Sequence, residues 1–404
     1  MKTMKKIATT VALGALCSSG FSTGAMAGSL DTIRVNGFAT AAGVMTDDES
    51  VQFLGAGDDL KFNADTIVGL QFHMPVNKRV SFTTQIIARG FDNYDAELEW
   101  AYATMKLGGG TNLRAGRLRI PFFMISDSLE VGYSYPWIRP PVEVYGQLSF
   151  NRFDGVDLLW RGSAGDFDIS AQPIFGSTEQ DQNFLSYEGE LEVTNLWGVN
   201  FNLSNDWMSV RLGHVEGDFS LFGFDDVDNF VAGLGAAGFS SVAERFSVSD
   251  RHGKFTGLGV DIDYNNFKIM SEYTERETDG LIADTSAWYF TAGYRIGKFM
   301  PHITFAEFET EEDYSTVEAQ YPAMAAVDPS MSLVGGSAQF IQVNNENQES
   351  ITVGLRWNFM PKAALKFEWQ MVDVEDGSGP VSTIYSSSSD EDFDVITIGL
   401  DLVF

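Results

Sequence analysis

The last twelve residues, "FDVITIGLDLVF" (393–404), carry the reading on which the fold turns. Counting by twos from the end, Phe404, Leu402, Leu400, Ile398 and Ile396 share one parity, while Val403, Asp401, Gly399, Thr397 and Val395 share the other. Successive strand side chains point to opposite faces, so this is a strand with one wholly apolar face and one small or polar face. A soluble sandwich would bury such a face in a core, whereas a membrane barrel would turn it to lipid.

The pattern recurs in "NLWGVNFNLS" (195–204), "AWYFTAGYRIG" (287–297), "SITVGLRWNFM" (350–360) and "KAALKFEWQMV" (362–372). In the third of these, Ile351, Val353, Leu355, Trp357 and Phe359 alternate with Thr352, Gly354, Arg356 and Asn358. Trp, Phe and Tyr crowd the strand ends on the apolar parity, and charges sit on the other. That is a lipid-facing belt with aromatic girdles around a wet lumen, the inverse of a soluble interior. Short turns near 75–78, 108–112, 162–166, 203–206, 264–266, 297–299 and 360–363 alternate with longer polar connections near 43–60, 90–95, 120–150, 175–190, 217–250, 277–286, 309–348 and 375–392. Seven short and eight long connections require about sixteen strands. The expected fold is all-β, a closed antiparallel transmembrane barrel in which every backbone donor and acceptor is satisfied without water. The long connections read as acidic, solvated tips.

The N-terminus, "MKTMKKIATTVALGALCSSGFSTGAMA" (1–27), has a lysine-rich start, a short apolar stretch and a small-residue end, and reads as a signal peptide. One domain over 28–404 is then expected, with a first strand near 31–42. Cys17 is the single cysteine and falls in that leader, which excludes disulfide and thiolate metal chemistry from the mature chain. A net charge of −30 argues against nucleic acid, and 13% aromatic residues argue against a disordered acidic chain. His73, His214, His252 and His302 fall on separate segments with no nucleophile motif and no metal-ligand spacing. No catalytic residue, metal site or cofactor is expected, and the chain does not read as an enzyme.

The leader, the strand count, the terminal Phe404 and the segment "NLRAGRLRIPFF" (112–123) together resemble the Gram-negative general porins. The resemblance implies an outer-membrane barrel, commonly trimeric, that lets small hydrophilic solutes and ions diffuse passively. Its partners would be outer-membrane lipid, lipopolysaccharide and the assembly machinery, which would read Phe404 and its apolar run as a sorting signal. It also implies that the third long connection, 121–150, folds into the lumen and narrows it.

The residues of that connection suit such a place. Phe122, Phe123, Met124, Ile125, Tyr133, Tyr135, Trp137 and Ile138 would be unfavourable extended into water, and Pro121, Pro136, Pro140 and Pro141 prevent ladder pairing. The candidate lumen charges are Arg89, Arg161, Arg211, Arg295, Arg356 and Lys366 on strands, and Arg114, Arg117 and Arg119 where both parities carry arginine. Asp127, Glu130, Arg139 and Glu143 lie on the loop. A basic wall facing an acidic loop would set a transverse field across a narrow aqueous path. Two other functions remain open: a substrate-selective channel whose arginines guide an anionic solute, and a non-conducting surface or adhesive barrel.

Overall fold

The structure, a computed structural model, describes residues 33–49, 51–184, 187–375, 378–379, 382–384 and 391–404. The expected leader and Cys17 lie outside the described residues. The strands are β1 (Arg34–Thr46), β2 (Ile67–Pro75), β3 (Val80–Arg89), β4 (Ala96–Gly108), β5 (Thr111–Arg119), β6 (Arg152–Ala164), β7 (Phe167–Phe184) and β8 (Tyr187–Ser204). They continue as β9 (Met208–Phe222), β10 (Arg251–Tyr264), β11 (Phe267–Thr278), β12 (Thr285–Tyr294), β13 (Phe299–Thr310), β14 (Asn347–Met360), β15 (Ala363–Glu375) and β16 (Glu391–Val403). Each pairs antiparallel with its chain neighbours, and β1 closes on β16, giving a barrel of sixteen strands. No helix among the described residues is long and apolar enough to cross a membrane.

Closure occurs where the sequence ends. Gly37 and Phe404 exchange backbone hydrogen bonds at 2.9 Å each. The Phe404 ring lies over Gly37, where any Cβ would collide with it. The alternating apolar parity faces outward: Leu355, Trp357, Phe367, Trp369, Ile396, Ile398 and Leu402 are all exposed. Aromatic pairs gather beside the short turns, with Phe267–Tyr294 at 4.8 Å, Phe299–Trp357 at 5.8 Å and Trp207–Tyr264 at 5.9 Å between ring centroids. A belt of exposed apolar side chains over a girdle of rings is the surface a bilayer accepts.

Two expectations about the connections change. Most of the 175–190 stretch lies in the ends of β7 and β8, with Gln180 opposite Leu191 and Thr178 opposite Val193. A strand that rises above lipid is wetted on its outer face too, so its alternation fades without the ladder ending. The connections after β9 and β13 are also not simply solvated tips. They fold into α2 (Asp225–Ala236) and α3 (Ser240–Arg245), and into the short α4 (Ser315–Glu318), α5 (Tyr321–Val327) and α6 (Ser332–Asn344), numbered after a single turn, α1 (Val142–Tyr145), in the third connection. Leu234, Phe239, Val242, Phe246, Val317 and Met324 are buried in one cluster, and Phe230 meets Phe340 at 5.2 Å, so the helices pack on each other through their apolar sides.

Candidate functional site

The third connection, residues 120–151, lies inside the barrel. Trp137 is 1% exposed, and its indole Nε1 donates to the Oγ1 atoms of Thr291 on β12 and Thr304 on β13, at 3.1 and 2.9 Å. The Ile138 amide donates to Glu368 on β15 at 2.9 Å, and the Met124 amide to Glu272 on β11 at 2.8 Å. Tyr145 reaches the other oxygen of Glu272 at 2.8 Å, and Gln147 reaches Thr274 at 2.6 Å. Wall glycines allow the approach: Gly213 on β9 and Gly257 on β10 face the Phe122 carbonyl, and Gly259 faces the Met124 side chain. The apolar load that made the loop unsuited to water is thus buried against the wall from β9 to β15.

Three of the expected lumen charges serve this docking. Arg356 donates to the Tyr135 and Tyr133 carbonyls at 2.7 and 2.8 Å, with its guanidinium 4.7 Å from the centre of the Tyr133 ring. Lys366, buried, donates to the Gly132 and Trp137 carbonyls and pairs with Asp401 on β16 at 2.7 Å. Arg211 donates to the Met124 carbonyl at 3.1 Å and reaches Asp127 at 3.4 Å. Read from sequence, these cations faced water. In the structure they cap loop carbonyls, because peptide carbonyls carried into a barrel need donors.

Glu143 also differs from expectation. It is fully buried on α1, accepts from Gln348 of β14 at 2.7 Å, and burial raises its carboxyl above the usual range. It meets β14 through Gln348 and forms no ion pair with a wall arginine among the described residues. Glu130 does, lying 2.7 Å from Arg89 and 3.2 Å from Arg119. Burial opposes its ionisation, but the two guanidiniums outweigh that and hold the carboxyl below its ordinary value. Arg89 and Arg119 also share Glu99, and Arg89 with Arg152 shares Glu97.

On this side the loop stands off the wall. A cavity of about 820 Å³ opens between the loop and β1–β7. Asp65, Asp92, Asp95, Glu97, Glu130 and Asp181 line it against Arg89, Arg139 and Arg152. Arg139 is held by Asp65, and Arg114 on β5 by Asp157. Arg117 pairs with Asp154 in an exposed couple that does not touch the loop. Arg161 and Arg295 stand apart, within a few residues of the short turns that follow β6 and β12, and Arg295 pairs there with Asp263 at 2.6 Å.

The docking acceptors Glu272 and Glu368, the threonines under Trp137, and the wall carboxylates Glu97, Glu99 and Asp157 were missed by sequence reasoning. A signal existed for one of them: Glu368 sits on inward parity between the outward Phe367 and Trp369, whereas Glu272 is flanked by Ser271 and Tyr273. An inward carboxylate looks the same whether it meets water or a loop amide.

No protein-family profile matches the chain, and comparison with curated proteins finds no relative of significant similarity. Solved structures are similar. The outer-membrane channel DcaP of Acinetobacter baumannii superposes with a TM-score of 0.58 at 10% identity, over 92% of this chain and 97% of that one. An anion-selective porin from Comamonas acidovorans gives 0.55 at 12%, over 92% and 99%. In-vitro folded OmpT of Vibrio cholerae, in its trimer form, gives 0.51 at 13%, over 92% and 99%. The chain shares the barrel fold of these outer-membrane proteins.

Proposed function

We propose that the protein is a porin of the bacterial outer membrane, a water-filled channel for passive diffusion of small hydrophilic solutes and ions. The observation that carries this reading is the charged cavity between the inner loop and β1–β7, opposite a wall against which the same loop is packed dry. Field lines between guanidinium and carboxylate rows in a narrow polar space favour hydrated solutes over apolar ones. Six carboxylates against three arginines in its lining make the path mildly cation-preferring. An arginine path for an anionic solute has less support, because Arg89, Arg114, Arg119 and Arg139 are each met by carboxylates.

The assembly proposed is a homotrimer in outer-membrane lipid and lipopolysaccharide, inserted by the outer-membrane assembly machinery through Phe404 and its strand. The trimer form of the Vibrio OmpT barrel is the precedent for that stoichiometry. Single-channel recording in planar bilayers tests the function. Ohmic steps with a reversal potential modestly favouring cations at low salt are expected. Absence of conductance from folded protein would favour the surface-barrel reading.

A further inference from the structure

A second cavity, of about 350 Å³, lies behind the inner loop at the long-connection end of the β8–β11 wall. Its lining is mostly aliphatic and aromatic, led by Phe122, Leu191, Val215, Phe219 and Phe255. That volume is at the lower end of small-molecule pockets, which run from roughly 300 to 1,000 Å³. Asn344, the last residue of α6, closes it from the helical side. Ser149 lines both this cavity and the charged one, so the strip 146–150 is a thin partition between them.

Four charged residues line this space: Glu216 is paired with His214 and Lys254 with Glu277, while Arg276 and Glu346, of opposite sign, reach it without forming an ion pair. Arg276 on β11 donates to the Gln147 carbonyl at 2.6 Å and to the Ala283 carbonyl at 3.2 and 3.0 Å. Three of its five N–H groups are so used, which leaves two for another acceptor. Glu346, just before β14, is attracted by Arg276 but makes no ion pair or side-chain hydrogen bond among the described residues, and burial pushes its carboxyl up to about 7. Above about pH 7, where Glu346 is ionised, an apolar chamber offering one spare cation and one spare anion is complementary to a solute with both charges and an apolar body.

We propose that this chamber binds a zwitterionic solute with an apolar body, an apolar α-amino acid being its smallest representative, with the carboxylate toward Arg276 and the ammonium toward Glu346. The solute enters from the charged cavity past Ser149. A purely anionic ligand is disfavoured by Glu346, and a purely cationic one by Arg276. The site stands independently of conduction: a side chamber can bind whether or not the adjoining path carries current.

Calorimetry on the full chain, folded in detergent, tests this with three probes: L-phenylalanine, 3-phenylpropionate and 2-phenylethylamine. Phenylalanine should bind at least about tenfold more tightly than either analogue, since each leaves one buried charge unanswered. Arg276→Gln should abolish the preference over phenylethylamine, and Glu346→Gln the preference over phenylpropionate. Arg276 also supports the partition, so a second variant, Val193→Trp, fills the chamber without touching either charge and should remove binding. No heat with phenylalanine up to about 10 mM, equal affinity for all three probes, or binding that survives Val193→Trp would each overturn the proposal. Conductance is read in bilayers without any of these solutes, so failure here and failure of the channel reading are separate outcomes.

Discussion

The two faces of the inner loop differ more than any two regions of the barrel. Toward β9–β15 the loop is dry: Trp137, Phe122 and Phe123 are buried, and its carbonyls and amides are answered by Arg211, Arg356, Lys366, Glu272 and Glu368. Toward β1–β7 it stands off, bridged by Glu130 to Arg89 and Arg119 and by Arg139 to Asp65 at the edge of a charged cavity. One segment is therefore both a core element and the wall of a cavity. Position inside a barrel does not decide whether a charge serves passage or packing; the backbone brought against it does.

Excising residues 126–142 should break this comparison outright, because it removes the dry face and the wet edge together. Conductance should rise severalfold and the size limit for solutes relax while the strands still assemble. A well-folded deletion mutant with unchanged conductance would place the loop outside the path.

Trp137→Ala loosens only the dry side. It removes a buried indole and leaves Thr291 and Thr304 short of a donor, a loss of about 3–5 kcal/mol that falls on loop docking. Open-channel current should become noisy, with little change in the barrel's own unfolding. A quiet channel of wild-type size would mean that the loop is held from elsewhere.

The contrast between the outer and inner surfaces of the wall should follow in size. Leu355→Arg, on the exposed belt, should cost about 2–4 kcal/mol in bilayer unfolding. Gln370→Arg, on the inward parity, should cost clearly less. Equal costs would invert the assignment of faces.

Subtler is the charge of the wet cavity. Glu97→Gln removes one of its six lining carboxylates and frees part of Arg89 and Arg152. The reversal potential at low salt should move toward chloride by a few millivolts, and the shift should fade as screening shortens to about 8–10 Å near 0.1–0.15 M. A shift toward cations would show that other charges set the preference.

The smallest effect concerns acid. Glu130 has a folded-state carboxyl held below its ordinary value, so its bridge stabilises docking fully above about pH 4.5, the unfolded range. That contribution is lost as pH falls through the lower folded value. Current noise should therefore grow on acidification below about pH 4, and Glu130→Gln should be noisy already at neutral pH, with less acid dependence. An acid response identical in wild type and variant would assign it to another carboxylate.

Much of this architecture was legible in the chain. The parity from Ile396 to Phe404 predicted the closing strand, and the turn spacing predicted the strand number, because a membrane barrel forces a two-residue period through every crossing. The loop from Pro121 to Phe150 was recognisable by an apolar load that no solvated tip would carry. Residues 175–190 were misread because strands above the bilayer lose the lipid-facing half of their pattern. The charges were harder. Arg89 and Arg356 read alike, one strand-borne arginine each, yet one meets three carboxylates at a wet edge and the other two carbonyls in a dry seam.

By itself, then, the sequence determined which face of most strands meets lipid, that the sheet closes, and that the third connection must pack against something rather than extend into water. These follow from local periodicity and from transfer of apolar surface, which each segment expresses alone. Which charges line a passage, which hold the loop, and where a second chamber opens behind it were decided only by tertiary structure. Those roles depend on pairs such as Trp137 with Thr304 or Lys366 with Asp401, far apart in the chain. Electrostatic and hydrogen-bond energies fall off within a few ångströms, so they are settled only once the barrel has brought such partners together.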